Sequence, residues 1–79
     1  MVYVGTRKYR LGRMMMSHMV ADSYEELMEM VDNIGVNRNH YQKWSSIPHF
    51  DICQEKKQLA IEIGATLVSD KEIIKMFRK

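Results

Sequence analysis

The clearest pattern along the chain is the apolar run Met14-Met15-Met16-Ser17-His18-Met19-Val20-Ala21, in which His18 is the one strongly polar side chain. The run is too short to cross a membrane and suits a strand better than a helix. Alternation puts Met14, Met16, His18, Val20 and Asp22 on one face and Met15, Ser17, Met19 and Ala21 on the other. Both faces are mostly apolar, which predicts a strand inside a sheet and covered on both sides. Asp22 with Glu25 has the capping-box spacing, and Tyr24, Leu27, Met28, Val31 and Ile34 recur at helical steps until Gly35. A strand that hands directly to an amphipathic helix is therefore expected.

Other elements are shorter. Val2-Tyr3-Val4 predicts a first strand stopped by Gly5-Thr6, and Arg7 to Arg13 reads as a basic loop. Between Val36 and Ile52 the period is lost, apart from a possible short strand at His49-Phe50-Asp51. Cys53 to Ile63 predicts a helix capped by Asp51, with Ile52, Lys56, Leu59, Ala60 and Ile63 on one face. Thr66-Leu67-Val68 is a further strand, and Ser69 with Glu72 starts a last helix holding Ile73, Ile74, Met76 and Phe77. The order predicts a small α/β (α+β) domain over residues 1–79, with a short sheet of about three or four strands and three helices.

Composition narrows the class. The chain is 46% hydrophobic and 28% charged, as in an ordinary globular domain. A net charge of +2 is too small to demand nucleic acid, but it is unevenly spread. Arg7, Lys8, Arg10 and Arg13 precede any acid, whereas Asp22, Glu25, Glu26, Glu29 and Asp32 follow without a base. The acids suit the helix dipole. One cysteine, Cys53, allows neither an internal disulfide nor a multi-cysteine zinc site. With no secretion signal in view, a cytoplasmic location is expected. Core packing is the expected use of most of the eight methionines, and so small a domain is expected to gain stability as a homo-oligomer.

Candidate chemistry lies in His18 and in the irregular segment that holds His40, Tyr41, Gln42, Lys43, Trp44, His49 and Asp51. The histidine spacing matches no metal motif, and neither a metal nor a cofactor is expected. Arg10, Arg13 and Lys56 can neutralise phosphate while Tyr41, Trp44 or Phe50 stacks on a base and Gln42 or Asp51 reads polar edges. His18 and His49 offer an alternative, a metal-independent phosphodiesterase or nuclease in which they act as base and acid. A protein-partner inhibitor without nucleotide affinity is the third reading.

Met14-Met15-Met16-Ser17-His18-Met19-Val20-Ala21-Asp22, Ile34-Gly35-Val36, Tyr41-Gln42, His49-Phe50-Asp51-Ile52 and Gly64-Ala65 together resemble a family of small bacterial and phage proteins known only as a domain of unknown function. The resemblance covers nearly the whole chain and implies that Gly12, Arg13, His18, Asp22, Gln42, His49 and Asp51 belong to the family pattern. Gly5 and Thr6 stand where that pattern has two aspartates, and His40 where it often has Trp. A phage-like origin implies a host-interfering, anti-defence role by analogy. The expected function is thus binding of a phosphate-bearing ligand, such as a nucleotide signal, at Arg10, Arg13, His18, Tyr41, Gln42, Trp44, His49, Asp51 and Lys56, with a host protein as a possible further partner and no membrane.

Overall fold

A computed structural model describes residues 1–42 and 49–77. Strand β1 is Val2–Gly5, β2 Tyr9–Leu11 and β3 Met14–Ala21. Helix α1 is Tyr24–Ile34, followed by a 3-10 turn at Arg38–His40 and by β4, Tyr41–Gln42. Strand β5, His49–Cys53, then leads through α2, Gln54–Glu62, to β6, Thr66–Val68, and α3, Asp70–Phe77. The result is a small α+β domain with a mixed sheet in the order β4-β5-β3-β1-β6, and β2 pairs with β3 beside that path.

The long apolar run sits in the middle of the sheet, as its two apolar faces require. β3 pairs antiparallel with β5 along one edge and with β1 and then β2 along the other. Only β1 and β6 pair in parallel among the described strands. One face of the sheet, carrying Val2, Val4, Met19, Phe50 and Ile52, packs against Leu27, Val31 and Ile34 of α1 and Ala60 of α2 to form the core. α3 lies over the opposite face at Gly5, where an added Cβ would meet the Asp70 carboxylate and approach Ile73 Cδ1 at 3.4 Å.

Several local expectations are corrected. Ser23, not Asp22, caps α1: its Oγ accepts from Glu26 N at 3.2 Å, so the capping box starts one residue later. Tyr24 is accordingly exposed, while Met30 joins the buried stripe. The basic loop contains β2, which forms a hairpin with β3 because Gly12 turns the chain at φ 63°. Asp51 does not cap α2, since β5 runs through it to Cys53, which takes the N-cap position without a side-chain bond. α2 buries Lys57 and Ala60, not Lys56, Leu59 and Ile63, of which the last two are exposed. Met19, Met28 and Met30 are buried whereas Met1, Met14, Met15 and Met76 are exposed, so core packing does not account for most methionines. No helix among the described residues is long and apolar enough to cross a membrane.

Candidate functional site

Register brings the chemistry together. In the β3–β5 pair His18 stands directly opposite Asp51, and His49 follows two residues away on the same face of β5. β2 places Tyr9 opposite Met16, one diagonal step from His18. The N-terminal residue of α3, Asp70, enters over Gly5 from the other side. Two imidazoles, two carboxylates and a phenol thus share one patch on the face opposite the main core.

Asp51 is the hub. Its Oδ1 lies 3.0 Å from His18 Nδ1 and 3.5 Å from His49 Nε2, and it also accepts a hydrogen bond from the Tyr9 hydroxyl. His18 turns its other nitrogen, Nε2, toward Asp70 Oδ2 at 3.8 Å. The imidazoles of His18 and His49 meet edge to face with centroids 4.9 Å apart, and the Tyr9 ring lies 4.9 Å from His18 on a tilt. Burial and the neighbouring carboxylates, Asp51 above all, push the Tyr9 phenol well above its ordinary value, so it stays a hydrogen-bond donor. The His18 side chain is 35% exposed and those of Asp51 and Asp70 are 17% and 18% exposed, so the patch is partly wet.

Other residues singled out in the sequence stand elsewhere. Arg10 is exposed on β2 and, by strand alternation, points to the face opposite Tyr9. Arg13 is exposed in the β2–β3 turn. Lys56 lies on the helical layer, its Nζ 3.4 Å from where a Cβ on Gly35 would sit. That position is the C-terminal end of α1, where a cation is favoured by the free carbonyls. Asp22 is engaged at the other end of β3, with the N-terminal amine at 3.3 Å. Tyr41 and Gln42 pair through their backbones with Phe50 and His49, which sets β4 beside the site. Their side chains, and Trp44 altogether, fall outside the described residues.

Two members of the patch carried little signal in the sequence. Tyr9 stood in what read as a loop, and Asp70 followed a helix cap and looked like an ordinary first-turn acid. Period-2 placement of Tyr9 and Met16 across a tight hairpin at Gly12 is the sign that could have revealed the former.

Fold and patch together define a small α+β domain with a clustered His–Asp site on the face of its sheet opposite the main core. The chain belongs to the family described as Protein of unknown function (DUF4031), whose model matches residues 2–79. Neither the curated proteins nor the solved structures gave a match.

Proposed function

We propose that this domain holds a divalent metal ion on His18, His49 and Asp51 and through it captures a phosphate-bearing ligand, such as a nucleotide. The observation that carries this reading is that one donor atom from each of these residues lies within 4.8 Å of the other two. Ligands about 2.1 Å from a metal in a tetrahedral or octahedral array are about 3.0–3.4 Å from one another. The His18–Asp51 and His49–Asp51 separations, 3.0 and 3.5 Å, are already close to that spacing. Two histidines and one carboxylate also leave coordination positions open, the arrangement that suits zinc or ferrous iron bound to an outside ligand.

Charge points the same way. Asp51 and Asp70 both face the patch, and a bare phosphate would be repelled there. Of the cations expected to hold it, Arg10 and Lys56 are directed to the other side of the sheet. A divalent ion reverses the local sign and offers phosphate oxygens a direct ligand position. The metal-independent alternative fits less well. In-line displacement sets the attacking and leaving oxygens on opposite sides of phosphorus, which a base and an acid must flank. His18 and His49 are instead in ring contact.

Titration with Co²⁺ tests the reading directly: a saturable visible absorption band is expected at one equivalent, and its absence in Asp51→Asn. Incubation of the loaded protein with mixed nucleotides then separates two outcomes. Intact recovered ligand supports capture, the action a host-interfering protein would need. A shortened ligand supports metal-dependent hydrolysis, a second reading favoured by the coordination positions that two histidines and one carboxylate would leave open for a water beside the ligand.

A further inference from the structure

Across the sheet from the histidines lies a groove of about 380 Å³ lined by Thr6, Lys8, Gln54, Lys57 and Gln58, with apolar residues at its margin. Lys57 is 7% exposed, rare burial for an ammonium group, and its Nζ is held by the Ser17 hydroxyl at 3.3 Å. That hydroxyl donates to the Arg7 carbonyl at 2.8 Å and accepts from Gln54 Nε2 at 3.1 Å, so it is fully used. No carboxylate stands within ion-pair distance of Lys57 or Lys8 among the described residues. Burial and the charge of Lys8 both depress the Lys57 ammonium, and Asp70 offsets this only at longer range.

We propose that this groove is an anion site for a phosphoryl group, with Lys57 as its buried contact, Lys8 as its outer cation, and the Gln58 and Thr6 side chains as neutral donors. Two lysines that repel each other across a groove are each stabilised by a shared oxyanion, and a charge-assisted hydrogen bond to a buried ammonium is stronger than one to a surface lysine. The site does not depend on the metal centre. His18 and Ser17 are consecutive on β3 and therefore face opposite sides of the sheet.

Addition of inorganic phosphate to the full chain, followed by the side-chain amide signals of Gln54 and Gln58, tests the proposal. Saturable shifts are expected, weakening with added salt. Lys57→Met should lower the affinity about tenfold or more, Lys8→Ala by about threefold, and Lys57→Arg should retain binding. His49→Ala should leave it unchanged, which separates this site from the metal centre. Absence of saturable shifts in the folded wild-type chain overturns the proposal, as does equal phosphate affinity in a folded Lys57→Met variant. So does movement confined to signals around His18.

Discussion

Ser17 and His18 are neighbours in the chain and opposites in chemistry. Ser17 points into the helical layer and gathers Lys57 and Gln54, whereas His18 points away and gathers Asp51 and Asp70. Two adjacent residues on a central strand thus divide the polar interior of the domain into a cationic pocket and an anionic one. The sheet between them keeps Lys57 and Asp51 from meeting as a simple ion pair. Each side is left with charge that its own neighbours do not neutralise, which is the condition for binding an outside ion.

The largest expected effect breaks one side and spares the other. Asp51→Asn or His49→Ala should reduce Co²⁺ affinity by more than the roughly 10–100-fold typical of partners that only orient a ligand. Phosphate shifts at Gln54 and Gln58 should persist in both. Equal loss of the two signals would mean that these substitutions act through the fold and not through a site.

β5 allows that distinction to be sharpened within one strand. Phe50 is fully buried on the core face, so Phe50→Ala should cost about 3–5 kcal/mol in denaturant unfolding. Asp51→Asn, one residue on, exchanges a charged acceptor for a neutral one in a partly wet patch and should change stability by about 1 kcal/mol. A site residue whose loss destabilises as much as a core aromatic would be structural.

Gly5→Ala probes the far edge of the anionic side. Its Cβ would fall on the Asp70 carboxylate, which also accepts from the Arg7 amide at 3.3 Å. Displacing Asp70 should cost about 1–3 kcal/mol of stability in thermal unfolding. Co²⁺ should still bind, because none of the three nearest donors is touched.

Elements with a strong short-range signal were legible in the sequence. β3 is long and apolar on both faces, α1 has a cap, a stripe and a left-handed Gly35 at φ 77°, and α3 starts with the Ser69–Glu72 bond. β2 and β4 were not, because strands of three and two residues are held by pairing with a neighbour and not by their own pattern. α2 was found but turned wrongly: Leu59 and Ile63 looked like its buried face, whereas contact with Ser17 draws Lys57 inward. His18, His49 and Asp51 could be named as chemistry-bearing residues from the chain alone. Their convergence depends on the pairing of residue 18 with residue 51, a long-range register that no local pattern encodes.

The smallest expected effect concerns the cationic side, and its sign is opposite to that of an acid held by a salt bridge. Lys57 titrates below its ordinary value of 10.5 in the folded chain because burial and Lys8 disfavour the ammonium. At low pH the folded and unfolded chains both carry the proton, and the fold bears the cost of a buried charge. As pH rises through the lowered value toward 10.5, the folded amine loses its proton first, the unfolded chain binds more protons, and stability climbs. Above pH 10 the raised Tyr9 phenol works the other way, since the unfolded tyrosine ionises first. The rise from Lys57 is therefore sought below pH 10, as an upward drift in urea midpoint that Lys57→Met flattens. Saturating phosphate should flatten it too, because an oxyanion beside the amine favours the charged form. A drift that survives Lys57→Met belongs to another group. A drift that survives phosphate would mean that the anion does not reach the buried ammonium.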